Sequence, residues 1–138
     1  MSLFNDLLEA DVAKSEERPT KDVEIKSLSK KLGKKAVVTI QAVDPARNAE
    51  IQRKAVTFGK NGTKDIDIFL LHSLTVVDGV KEPNLRDKQL LAHFNASTPK
   101  ELVKKLFLAG EIADLYTEIM EISGYVTDDE DEEATLKN

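Results

Sequence analysis

Residues 97–125, STPKELVKKLFLAGEIADLYTEIMEISGY, constrain the fold more than any other stretch, because their punctuation demands two helices in succession. Thr98 is a capping side chain and Pro99 fits the first helical turn, where its missing N–H is not needed. Glu101 falls three residues past the cap, the position from which a carboxylate completes a capping box. Leu102, Val103, Leu106 and Phe107 then form one apolar stripe. Gly110 interrupts, and a final helix over about 111–123 turns Ile112, Leu115, Tyr116, Ile119 and Ile122 to one side before Gly124 ends it. Short helices joined by tight turns pack as a small bundle.

Upstream, KEPNLRDKQLLAHFNAS begins as a loop and becomes a short helix with Leu90, Leu91 and Phe94 as its buried candidates. The run DIDIFLLHSLTVVDGV, residues 65–80, satisfies both alternating and helical spacing. At this length it exceeds most strands, so a buried helix is expected. Asp44 followed by Pro45 starts another helix, over about 45–57. It ends in FGKNGTKD, where only two residues separate Gly59 from Gly62 and the order is Thr63 then Lys64. A phosphate-binding P-loop needs four residues between its glycines and a Lys before Ser or Thr, so this is a turn.

Residues 23–43, VEIKSLSKKLGKKAVVTIQAV, contain two runs with strand character, the second alternating Val37, Thr39, Gln41 on one side with Val38, Ile40, Ala42 on the other. A hairpin turning near Gly33 is expected, with Lys30, Lys31, Lys34 and Lys35 crowded at its solvated turn. The predicted fold is therefore mainly α (α+β): a small helical bundle with an N-terminal β-hairpin, occupying residues 22–126.

Two segments flank that body. Leu3, Phe4, Leu7, Leu8 and Val12 recur at helical spacing after Ser2, a capping residue, so residues 1–13 are expected to form an amphipathic helix. The charged, Pro19-broken stretch over 14–21 reads as a linker. Such a tethered helix docks on its own core or on a partner, and its own core is the favoured expectation. At the other end, six of the 25 acidic and one of the 20 basic residues lie in DDEDEEATLKN, leaving 19 of each over positions 1–127. The net charge of −5 thus hangs from residues 127–138, which repel themselves, offer little to bury, and are expected to be a disordered acidic tail.

Function classes narrow accordingly. A neutral body gives no positive field to hold phosphates, which disfavours nucleic acid. No apolar run approaches the length of a membrane span, and the acidic residues within MSLFNDLLEADV do not fit a secretory leader, so a cytoplasmic chain with no membrane contact is expected. The absence of Cys removes thiolate ligands, cysteine nucleophiles and disulfides together. His72 and His93 have no acid or second histidine at ligand spacing and read as packed or half-exposed residues. No enzyme, no metal and no cofactor is expected.

The succession EPNLRDKQLLAHF, STPKELVKKLF and GEIADLYTEIMEISGY, within residues 22–125, resembles the XkdN-like tail assembly chaperones of tailed phages and prophages. That family carries a leucine-rich stretch after Pro-Asn, a Thr-Pro or similar helix start, a Gly-Glu opening the last helix, and Ile-x-x-Gly or Leu-x-x-Gly near its end. Ala109 departs from the pattern, standing where many relatives have Pro. The resemblance implies a non-enzymatic protein of the host cell's cytoplasm that holds the tape-measure protein soluble until the tail tube polymerises around it, and that is absent from the finished tail. The tail tube protein and further copies of the same chain are additional partners it leaves open, as is a longer frameshifted product. The alternative reading is a generic helical adaptor or regulatory protein-binding domain. Two apolar stripes are the candidate partner-binding residues: Leu3, Phe4, Leu7 and Leu8 of the N-terminal helix, and Ile112, Leu115, Tyr116 and Ile119 of the last. The last helix's stripe is narrow enough to pack against a single neighbour, so core is its favoured role.

Overall fold

The structure, a computed structural model, describes residues 2–125; the expected acidic tail, 127–138, lies outside the described residues. In chain order the elements begin with α1 (Leu3–Glu9), α2 (Val12–Ser15), β1 (Thr20–Glu24), α3 (Lys26–Leu32) and β2 (Val37–Gln41). Next come α4 (Pro45–Ala55), β3 (Val56–Phe58), β4 (Lys64–Ile66) and α5 (Ile68–Gly79). The last are β5 (Val80–Glu82), α6 (Lys88–His93), α7 (Pro99–Leu106) and α8 (Ala109–Ile122).

The expected bundle with an N-terminal hairpin is corrected on both counts. β1 and β2 do pair antiparallel, with Val23 opposite Val38 and Thr20 opposite Gln41. What joins them is a helix and not a turn. Ile25, Leu28 and Leu32 recur at intervals of three and four, a period that a strand reading of VEIKSLSKKL passes over. Gly33 is the left-handed cap that ends α3, at φ 69°, a conformation few residues other than glycine adopt readily. The second correction is a third strand. β5 pairs with the other edge of β2, so a three-stranded antiparallel sheet in the order β1-β2-β5, and not a helical bundle, carries one layer of the fold. A pairing partner some 40 residues away leaves no local mark in the sequence, whereas β3 and β4, joined by the glycine-bearing turn, form a local hairpin with Phe58 opposite Lys64.

One core joins the sheet to α5, α7 and α8. Val38 and Ile40 point from β2 into it, as their alternation requires, and meet Val76, Val77, Leu102, Val103, Leu115 and Ile119. At about 1.5–3 kcal/mol for each fully buried aliphatic side chain, this cluster is the principal driving term for folding. At Gly79 the backbone of α5 lies against α8 so closely that a Cβ there would collide with the side chain of Ile119, so only glycine allows the two helices this contact. Within α5, Ser73 and Thr75 are buried but satisfied, their hydroxyls donating to the carbonyls of Phe69 and Leu71.

The caps follow the sequence closely. Asp44 accepts from the N–H of Arg47 and Thr98 from that of Glu101. The carboxylate of Glu101 reaches one residue further back than a capping box requires, to the N–H and hydroxyl of Ser97. Gly110 interrupts nothing. It lies in the first turn of α8, which starts at Ala109. There Glu111 accepts from Leu108 N–H at 2.9 Å and, across 84 residues of sequence, from the N–H and hydroxyl of Ser27 at the start of α3.

Candidate partner-binding surfaces

The first candidate surface begins with Ser2, whose hydroxyl accepts from Asn5 N–H and opens α1. None of the residues of α1 is buried: Leu3, Phe4, Leu7 and Leu8 are each between 61% and 72% exposed. Docking of this helix on its own core, the favoured expectation, is not what the structure has. Four large apolar side chains on one short helix form an unpartnered stripe of the kind that marks interaction sites. The tether is anchored at its far end, where Ala42 N–H donates to the carbonyl of Pro19 beside the start of β1.

The second candidate face is mostly interior. Ile112, Leu115 and Ile119 are buried in the core, facing α5 and the sheet. Tyr116 is half-buried, with its ring stacked on that of His72 at a centroid separation of 4.2 Å. Burial pushes the His72 pKa down and that of the Tyr116 hydroxyl up, so both groups are held neutral, as a packed pair and not as an acid and base.

A third surface is not singled out by the sequence. Ile68, Phe69 and His72 of α5, with Lys104 and Phe107 from the α7 side and Ala109 and Ala113 of α8, line an apolar groove of about 580 Å³. Ile68 and Phe69 of this lining are exposed, as are Phe58 and Ile66 on the β3–β4 hairpin. Lys100 Nζ sits 5.9 Å from the centre of the Phe69 ring, within reach of a cation–π contact. The signal is present in DIDIFLLHSL: a helix needing one buried face carries apolar residues on more than one. What sequence alone lacks is that α7 and α8 stop short of covering the second face.

The remaining polar groups are structural. Asp78 holds Arg47 and Arg86, Asp67 and Asp87 cap α5 and α6, and Glu101 is kept below its usual range by the Ser97 N–H and hydroxyl. For Glu111 burial alone would raise the pKa, but the bonds from Leu108 and Ser27 outweigh it and lower it. His93 lies edge-on to Phe94. Among the described residues no three His, Asp or Glu side chains are grouped to hold a metal ion, and no helix is long and apolar enough to cross a membrane. The arrangement offers apolar surface for holding another chain's helix.

The fold resembles the crystal structure of the protein yqbn, with a TM-score of 0.58 at 19% identity over 81% of this chain and 92% of that one, a likeness of fold. No individually curated protein matches the sequence. The family model described as phage XkdN-like tail assembly chaperone protein matches residues 4–135, nearly the whole length, and spans α1, the sheet, the groove and α8. The chain belongs to the XkdN-like phage tail assembly chaperone family.

Proposed function

We propose that this chaperone binds the tape-measure protein, keeps it soluble in the host cell until the tail tube polymerises around it, and is left out of the finished tail. The observation that carries this reading is α1: an amphipathic helix with its whole apolar stripe exposed, on a tether to a body whose core does not include it. A tape measure is a long chain of amphipathic helix whose apolar stripes need cover before the tube encloses them, and a helix or groove of matching character supplies it. The chain's net negative charge helps keep such a complex dispersed.

The test is co-expression of a tape-measure fragment with wild type and with the Phe4→Ser, Leu7→Ser double variant, reading co-purification of the fragment and the circular dichroism of each chaperone alone. The double variant is expected to stay folded and to lose the fragment to the insoluble fraction. Undiminished capture by a folded double variant removes α1 from the binding surface, and insolubility of the fragment with wild type removes the tape measure as the client.

A further inference from the structure

We propose that the open edge of β1 takes up an extended, basic segment of another protein as a fourth strand of the sheet. β1 has β2 on one side, and among the described residues no strand lies beyond its other edge. Ile25 N–H donates to the Ala36 carbonyl at 2.9 Å, and Ala42 N–H to that of Pro19 at 3.2 Å. With the register that sets Val23 opposite Val38, the bonded pairs of β1 fall on its odd-numbered residues, so the N–H and C=O groups of Thr20, Asp22 and Glu24 point outward. Such a row is a template for an incoming strand.

The side chains along that edge select the chemistry of the strand. β1 and α8 line a groove of about 390 Å³, and Glu111, Asp114, Glu118 and Glu121 stand along its α8 side, sharing one side of that helix through their spacing of three and four. Glu111 is occupied by Ser27 and Leu108, and Glu118 pairs with Lys21 at 3.2 Å. Asp114 and Glu121 have no salt bridge among the described residues. Lys21, on the same face of β1 as Val23, shows that a lysine on a strand here reaches a carboxylate of α8. A lysine or arginine on the same face of a strand about 4.8 Å further out is placed to meet Asp114 or Glu121. Lys26 and Lys30 line a neighbouring hollow with Glu24 and Glu111 and bound the acidic stretch at the start of α3.

The same charges argue against occupants from this chain. α1 and its flank carry Asp6, Glu9 and Asp11, and positions 128–133 are all acidic. The tether is continuous with β1, and its Lys14 and Arg18 are balanced by Glu16 and Glu17. A second copy meets a like obstacle. Two β1 strands paired about a two-fold axis through their outward groups, in any register overlapping three residues or more, set Lys21 against Lys21, Asp22 against Asp22 or Asp22 against Glu24, and like charges directly opposite are destabilising. A basic strand meets no such opposition. Filling this edge leaves α1 exposed, so the inference stands apart from the identity of the client that α1 holds.

The probe is a capped, fluorescently labelled peptide of about nine residues alternating Lys and Thr, long enough to cover β1. Its anisotropy with the full-length protein is compared with that of the same residues in blocked order and of the alternating peptide N-methylated on all its amides. The alternating peptide is expected to bind, the blocked-order peptide to bind more weakly, and the N-methylated one to lose binding. Asp114→Lys, Glu121→Lys, at two exposed positions, is expected to weaken binding about tenfold with the thermal melt retained. Asp22→Pro removes an outward N–H from an edge strand, where proline is tolerated, and is expected to abolish binding in a folded protein. Asp22→Asn controls for the carboxylate that accepts from Thr39, and is expected to keep binding. Absence of binding by the alternating peptide, equal binding in blocked order, or indifference to the N-methyl groups or to the charge reversal overturns the proposal. A dimer mass for wild type that Asp22→Pro reduces to a monomer would put a second copy on this edge and overturn it equally. Because none of these arms contains a tape-measure fragment, their failure leaves the co-purification result to stand or fall on its own.

Discussion

Ser27 donates both its backbone N–H and its hydroxyl to Glu111, at 3.1 and 2.7 Å, and so ties the start of α3 to the start of α8. This one carboxylate also completes the N-terminus of α8 through Leu108 N–H, which makes it the joint between the sheet's helical excursion and the last helix. Its folded pKa is lowered, so the fold favours the ionised form. That stabilisation is present above the unfolded value of about 4.3–4.5 and lost as pH falls through the folded value. Glu111→Gln is expected to cost about 1–2 kcal/mol near neutrality, through loss of charge-assisted bonds, and less at acid pH. Urea melts of both proteins across that range measure the difference.

His72 supplies a separate dependence at higher pH. Burial against Tyr116 lowers its pKa, so the unfolded chain takes up a proton before the folded one does. Stability is therefore complete above the unfolded value of about 6.5 and declines as pH falls below it toward the folded value. His72→Phe keeps a ring for Tyr116 to stack on and is expected to flatten the decline in stability that begins as pH falls below about 6.5. Retention of the full slope by the variant would place the proton elsewhere.

The two helical glycines should respond oppositely to alanine. At Gly79 a methyl group collides with three atoms of the buried Ile119, and overpacking of this kind costs about 1–3 kcal/mol. At Gly110 a methyl meets nothing within 4 Å, and the backbone is already helical, so alanine is expected to add about 0.5–1 kcal/mol. Thermal melts of Gly79→Ala and Gly110→Ala should move in opposite directions from wild type.

Tyr125 closes the body by accepting from Asn48 Nδ2 at 3.0 Å, and the Asn48 Oδ1, buried, has no partner of its own. Tyr125→Phe removes the bond that this side-chain amide makes and should cost about 1–3 kcal/mol, the desolvation penalty of a buried polar group left unmade. A chain ending after Tyr125 keeps the bond, while one ending after Gly124 loses it. The difference in denaturation midpoint between these two truncations is the measurement.

Local chemistry is readable in this sequence and tertiary assembly is not. Asp44-Pro45 and Thr98-Pro99 mark helix starts because a cap and a proline act within one turn, and the alternation of Val38 and Ile40 marks β2 because a strand's two faces differ over a few residues. α3 escapes a sequence reading because its seven residues give too short a period to oppose the strand signals on either side. β5 is three residues long, and its role depends wholly on reaching β2. The groove is hidden for a related reason, since Phe69 becomes a surface only when α7 and α8 fail to cover it. The stripe of Ile112, Leu115 and Ile119 is legible as a stripe, but sequence cannot say that α5 and the sheet have already claimed it.

The brevity of α1 sets the terms on which it can bind anything. Its seven residues fall below the roughly 12–15 at which an isolated helix holds together in water, so in the free chain its order is marginal and is completed only by the surface it meets. Ordering at the moment of contact subtracts from affinity without subtracting from the area covered, and the complex exchanges faster than a rigid helix of the same composition would. Lengthening this helix by two turns of alanine-rich sequence would tighten its grip and slow its departure, and under the proposed function the short form favours handing the client over.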